Sequence, residues 1–254
     1  MQRFKTYKEN CRIIAVGDVH LLESPKDEKI EHALTKNKKL IEEIWQEASQ
    51  KEGLFNEYMF NCLNIEAHNG HIKVLGNFVE YKNFLAQRKR LDLDFGIRPV
   101  GVSGITIVKD DNIDYAIFAK RAPSVNEYQE SIELIPSGSI DKECILTDGT
   151  IDYKTKLLSE FSEETGVPIT YVEKINGFAI VFDANHKVYD ICCTIYTICA
   201  RAFITEKFNN SKEYESPTFV PLNTLDDFLK TNAKTIIPTS MALACAFLQS
   251  TNIK

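Results

Sequence analysis

The chain has 254 residues, 44% of them hydrophobic, enough for one large domain or two small ones. Its net charge of −6 argues against general binding to nucleic acid or to an anionic membrane, since both favour a basic surface. The start, Met1-Gln2-Arg3-Phe4-Lys5-Thr6, has no apolar signal core, and no run approaches a membrane span. Seven cysteines occur without any Cys-x-x-Cys spacing, so neither zinc nor a disulfide framework is indicated, and a reducing cytoplasm is expected.

Arg12 to Val16 reads as a buried strand. Gly17-Asp18-Val19-His20 follows; it resembles the first metal motif of calcineurin-like phosphoesterases, but no further Asp, Asn and His ligand clusters follow, and the tetrad reads as a turn after a strand. From about Asp27 to Gln50 the apolar residues Ile30, Ala33, Leu34, Leu40, Ile41, Ile44, Trp45 and Ala48 recur at helical spacing, and Gly53 ends the helix. Phe60–Ile65 and His71–Leu75 read as strands joined through His68-Asn69-Gly70, with Asn-Gly as the hairpin signal. His68 and His71 flank this turn and read as surface residues, with no third ligand near them in the sequence. Residues 79–98 read as a connecting helix and loop.

A second unit opens with the strand Gly101–Val108, turns at Asp110-Asp111-Asn112 and returns along Tyr115–Ala119 to Lys120-Arg121. These two cations either hold phosphate oxygens or stand solvated. Glu133-Leu134-Ile135-Pro136-Ser137-Gly138-Ser139 is a short apolar run closed by a tight loop. Asp152 is placed to cap a helix that carries Glu160, Glu163 and Glu164 and stops at Gly166 and Pro168. Carboxylates at i, i+3 and i+4 share one helix face, with Leu157 and Phe161 expected on the opposite, buried side. Three repelling charges on a rigid face suit a hard divalent cation, Mg²⁺ or Mn²⁺, that shares its coordination with substrate phosphates. Beyond the helix, Ile175–Phe182, Val188–Arg201 and Thr218–Leu222 read as strands, and Thr224–Leu229 and Pro238 to about Gln249 as helices.

The strand, glycine loop and acidic helix resemble the Nudix box, in which a glycine loop leads to Arg-Glu-U-x-Glu-Glu-x-Gly-U, where U is apolar. Glu160, Phe161, Glu163, Glu164, Gly166 and Val167 match, and Gly138 takes the loop position. Ser159 replaces the family's arginine, which pairs with a box glutamate, and the segment Ile140–Tyr153 is longer than the standard box allows. The resemblance covers about residues 99–250 and implies an α/β/α sandwich around a mixed β-sheet. With it goes a small N-terminal α/β unit, so that residues 1–78 form the extension and 79–254 the Nudix hydrolase domain. A narrower likeness, through Ile44-Trp45, Leu54-Phe55, Tyr81–Leu85 and Gly101-Val102, is to the UDP-glucose diphosphatase branch.

What the resemblance implies is hydrolysis of a nucleoside diphosphate linked to another moiety, with a UDP-sugar giving UMP and sugar 1-phosphate. Glu160, Glu163 and Glu164 are then the Mg²⁺ or Mn²⁺ ligands, with Glu163 or Glu215 as the base. Gly138 and Ser139 would bind phosphate through backbone N–H groups, helped by Lys120 or Arg121. Two other readings stand beside it: a Nudix-like module that senses a nucleotide without cutting it, and a hydrolase of ADP-ribose, a dinucleotide or an isoprenoid diphosphate. The N-terminal unit is expected either to help select the sugar side through its hairpin or only to cap the sheet. The sequence sets no oligomeric state.

Overall fold

The computed structural model describes residues 10–90, 92–125, 128–208 and 213–251; the chain start and part of the loop between residues 123 and 130 lie outside them. The elements in order are β1 (Cys11–Val16), β2 (Asp18–Glu23), α1 (Glu28–Lys36), α2 (Lys38–Glu52), β3 (Tyr58–His68), β4 (His71–Glu80), α3 (Tyr81–Lys89), β5 (Val100–Asp110), β6 (Ile113–Arg121), β7 (Ile132–Leu134), β8 (Ser137–Ser139), α4 (Tyr153–Thr165), β9 (Val172–Asp183), β10 (Val188–Thr197), α5 (Arg201–Phe208), β11 (Tyr214–Pro221), α6 (Leu225–Thr231) and α7 (Pro238–Thr251).

The main sheet runs β1-β9-β10-β5-β6-β11, with β8 added to β5 and β7 to β6. It is mixed: β10 and β5 are parallel and the other pairings antiparallel. A strand buried on both faces reads as an unbroken apolar run, and β5 and β10 are buried through most of their length. One face packs on α4 through Tyr153, Leu157 and Phe161. The other packs on α7, whose Met241–Phe247 run is buried throughout, and on Leu225 and Leu229 of α6. The result is the expected sandwich of helices about a mixed sheet. Truncating Phe161, which is fully buried, would cost about 3–5 kcal/mol.

The expected division at residue 78 falls inside β4, and the first strand does not stay with the N-terminal unit. β1 pairs with β9 in the main sheet, and the chain then leaves through Gly17. A Cβ at Gly17 would lie 2.3 Å from the Gly70 carbonyl oxygen, so only glycine allows this approach. Asp18 N–H then donates to Gly70 O at 2.8 Å, and β2 runs parallel to β4 in a second sheet of order β2-β4-β3. Val19, Leu21, Phe60, Ile72, Val74 and Phe78 of this small sheet share one core with α4 and the main sheet. A second cluster, with Ile30, Ile41, Phe84 and Ile97, ties in α1, α2 and α3. The extension is therefore welded to the rest by hydrophobic burial and by a shared strand.

Other expectations shift in detail. The helix over 27–50 is two helices that meet at Asn37, whose side-chain amide donates to Ala33 O at 2.8 Å and caps the end of α1. The strand expected to reach Arg201 stops at Thr197, and Arg201–Phe208 is a helix. Asn69 and Gly70 take positive φ of 50° and 78°, as a two-residue hairpin turn requires. The long segment before α4 is folded: a 3₁₀ turn spans Lys142–Cys144, Ile145 bridges Ile151, and Ile151 N–H donates to Leu21 O at 3.2 Å. Among the described residues no helix is long and apolar enough to cross a membrane.

One buried charge gives a pH test of this core. Asp190 on β10 accepts from Ser103 Oγ at 2.6 Å, while its second carboxylate oxygen has no partner among the described residues. Burial first, and Glu133 after it, push its pKa from 3.8 up to about 7, against the pull of the Ser103 hydrogen bond. A raised acid takes up a proton on folding, so the stability it contributes is full below about 3.8 and is lost as pH rises through about 7. Asp190→Asn, which keeps an acceptor for Ser103, should therefore raise the melting temperature relative to the parent more at pH 8 than at pH 5. Equal differences at the two pH values would show that Asp190 carries no such strain.

Candidate functional site

The site grows from α4. Asp152 caps the helix, its side chain accepting from Thr155 N–H at 3.1 Å, and Gly166 at φ 70° ends it. The three carboxylates do not share one environment. At about 100° per residue, Glu164 lies about 20° from Leu157 around the helix axis, so it belongs to the inward face. Glu164 is 6% exposed, Glu160 is intermediate and Glu163 is exposed. Ser159 Oγ donates to Glu163 Oε1 at 2.8 Å. The serine thus holds Glu163 by a hydrogen bond, where an arginine at this position, as in the motif the sequence resembles, would use an ion pair.

Loop residues 137–139 lie across the inward carboxylates. Ser137 N–H donates to Glu164 Oε1 at 3.1 Å. Glu160 packs directly on Gly138, where an added Cβ would come within 2.7 Å of Glu160 Oε1. Gly138 is required here for close approach by a side chain. Glu133, fully enclosed at 5% exposure, completes the wall. It accepts from Ser137 Oγ at 3.2 Å and Tyr214 Oη at 3.1 Å, and it is ion-paired with Arg121.

Electrostatics in this wall are unbalanced. Glu164 Oε2 is buried without a hydrogen-bond partner among the described residues. Burial, and then the charge of Glu133, push the Glu164 pKa well above the usual carboxylate range, against the Ser137 N–H bond; Glu213 and Glu160 add to the rise. Glu160 is also raised, by burial first, although Lys156 opposes this. An unpartnered buried carboxylate oxygen among other carboxylates is the environment a hard cation relieves, and the oxygen-only donor set fits Mg²⁺ or Mn²⁺. Glu160 and Glu164 are the residues that would hold it.

The remaining expected residues are placed differently. Arg121 is ion-paired with Glu133 and lies 5.8 Å from the Tyr214 ring centroid, so it serves as a partly buried counter-ion to that acid. Lys120 reaches Glu130 at 3.3 Å and Glu215 at 3.4 Å. Glu215 is thereby paired with Lys120, whereas its neighbour Glu213 contributes to the raised values of both Glu160 and Glu164. Glu213 therefore stands beside Glu215 as a second acid near the helix; a bulge between Tyr214 and Pro217 separates this segment from regular strand alternation. Lys156, missed by the sequence reading, spans Glu160 at 3.1 Å and Asp141 at 3.3 Å. Burial lowers its pKa, but these two carboxylates more than offset that and keep it charged.

Beside Glu160 opens a cleft of ≈ 330 Å³ whose lining includes Phe55, Tyr58, Tyr81, Ser139, Lys156 and Glu160. Phe55 is 81% exposed, and Lys142 Nζ sits 3.3 Å from the Tyr58 ring centroid. The N-terminal unit therefore meets the acidic helix through the segment before β3. Its hairpin residue His71 instead pairs in register with Asp18.

No family model matches the sequence, and no curated protein matches it. Among solved structures, the Nudix domain of Shewanella oneidensis NrtR complexed with ADP-ribose is similar at 14% identity and a TM-score of 0.39, covering 66% of this chain and 96% of that one. A mutT/nudix family protein from Listeria innocua is similar at 14% identity and a TM-score of 0.42, covering 60% and 94%. A C. elegans Ap4A hydrolase binary complex is similar at 12% identity and a TM-score of 0.36, covering 59% and 98%. Likeness of this depth fixes no activity, and the functional reading stands on the residues of the site.

The unbalanced wall makes two stability predictions. In metal-free buffer at neutral pH, Glu164→Gln should melt above the parent, because it removes a buried charge and turns an amide N–H₂ toward its carboxylate neighbours. Mg²⁺ should raise the parent's melting temperature and leave the variant's unchanged; a variant that melts lower and still responds to Mg²⁺ would remove Glu164 from the metal site. Gly138→Ala should keep the fold, since the flexible Glu160 side chain can yield, yet lose most of the Mg²⁺-induced shift.

Proposed function

We propose that the chain is a Nudix-type hydrolase that cleaves the diphosphate of a nucleoside diphosphate linked to another moiety, with a UDP-sugar as the substrate class and UMP and sugar 1-phosphate as products. The observation that carries this reading is the Glu164 oxygen unpartnered among the described residues, beside Glu160, under a loop whose Gly138 leaves no room for a Cβ unless Glu160 shifts. Glu160 and Glu164 would hold Mg²⁺ or Mn²⁺, which when bound offsets diphosphate charge and lowers the pKa of a bound water.

The chain's own groups supply the rest. Ser137 uses its backbone N–H to hold one oxygen of Glu164, and the second carboxylate oxygen has no partner among the described residues. Ser139 is exposed at the cleft and is placed to donate to a phosphate oxygen. Lys156, kept charged by its carboxylate partners, neutralises phosphate charge from the same wall. Glu213 takes the proton from the attacking water as its oxygen adds to phosphorus and the bridging oxygen departs. Glu163, anchored to Ser159, positions the exposed edge of the helix. Phe55 and Tyr58 offer faces on which a base or sugar ring can stack.

A sensing module without catalysis drew its support from Ser159 and from the long segment before the helix. The hydrogen bond from Ser159 to Glu163 and the folded turn at Lys142–Cys144 give both features a structural account, which favours the hydrolase.

Turnover of a panel of nucleoside diphosphate derivatives, read by direct identification of the two monophosphate products, tests the reading. Glu164→Gln should lower turnover by roughly 10²-fold or more, the scale of a lost charge partner in the transition state. Glu213→Gln should fall by a similar factor while Glu215→Gln stays near the parent; the reverse order would return the base to Glu215. Phe55→Ala should raise KM with little change in kcat, and an unchanged KM for every substrate on the panel would take the aromatic segment out of recognition.

A further inference from the structure

We infer that Asp18, His20 and His71 form a binding site for a borderline transition-metal cation, Zn²⁺ or its first-row neighbours, separate from the acidic helix. The three offer one carboxylate oxygen and two imidazole nitrogens, all within 4.8 Å of one another. Their convergence follows from strand pairing. Asp18 and His20 alternate along β2 and so point to one face of the small sheet. The parallel register sets Asp18 opposite His71, which brings the second imidazole to that face. The register is fixed where Gly17 closes on Gly70 and Asp18 N–H donates to Gly70 O at 2.8 Å.

The geometry is close to that of a filled site. His20 Nε2 and Asp18 Oδ2 lie 2.7 Å apart, and the two imidazole centroids 6.4 Å apart. Bonds of about 2.1 Å at tetrahedral angles separate ligand atoms by roughly 3.4 Å, so only small side-chain rotations are needed. All three residues are exposed, which leaves the fourth position open to water. Lys73, opposite His20 in the register, is also exposed, and its long stem lets the ammonium turn away to water. Two imidazoles with one carboxylate favour Zn²⁺, Co²⁺, Ni²⁺ or Cu²⁺ over Mg²⁺, whereas the oxygen-only wall of Glu160 and Glu164 has the opposite preference. The described cysteines are all buried and do not compete for the ion.

Calorimetric titration of the full chain with Zn²⁺, in buffer saturated with Mg²⁺, tests the inference. The expected result is one Zn²⁺ per chain, with affinity weakened at least about 100-fold in His20→Ala and in His71→Ala, a loss no smaller than that from removing a supporting group around a metal. Both variants should melt like the parent in metal-free buffer, since the replaced rings are exposed. Glu164→Gln should bind Zn²⁺ as the parent does, which separates this site from the acidic helix. Failure of the parent to bind at micromolar Zn²⁺ would overturn the inference. So would parent-like binding by the His20→Ala, His71→Ala double variant, which would mark adventitious surface binding only. Co²⁺ gives a second readout: its visible absorption should change on binding to the parent and not to the double variant.

Discussion

The arrangement depends on carboxylates buried against one short loop. Glu133 and Glu164 are almost fully enclosed on the two sides of Ser137, which donates its backbone N–H to one and its hydroxyl to the other. Burying two acids this close is unfavourable unless positive charge or hydrogen bonds answer them. Glu133 is answered by Arg121 and Tyr214. Glu164 is answered on one oxygen only. The asymmetry divides the pair into an acid satisfied by the protein and a second acid with one oxygen unanswered among the described residues.

The same constraint explains the backbone around it. The loop must approach the helix closely enough for Ser137 N–H to reach Glu164, and at Gly138 that approach leaves no room for a side chain beside Glu160. The helix in turn is pinned by Leu157 and Phe161 against the sheet, so Glu164, one turn further on the same face, cannot swing out to solvent. A buried core and an acidic site thus share one helix face, and the stability of the first enforces the strain of the second.

The N-terminal unit joins this frame at two levels. Its first strand extends the main sheet, and its small sheet shares the core beneath α4. That attachment carries the segment Phe55–Tyr58 to the mouth of the cleft and turns the hairpin's His71 toward β2. An extension that is structurally welded can therefore also shape a cleft, because rigid attachment is what holds an aromatic face at a fixed distance from the acidic helix.

By itself the sequence determined the elements whose signals are local. The acidic helix, its Asp152 cap and Gly166 stop, the Asn69-Gly70 turn and the apolar strands of the main sheet were legible because periodicity, caps and positive φ are properties of neighbouring residues. So were Glu160, Glu164 and Gly138 as a set. Tertiary structure alone decided which carboxylate is buried, that Arg121 answers Glu133, that Lys156 of the helix pairs with Asp141 as well as Glu160, and that His71 meets Asp18 and His20 across more than fifty residues of chain. Each of those depends on strand register or on packing between distant segments. Register fixes which side chains meet across a sheet, and no local pattern along one strand encodes its partner's alignment.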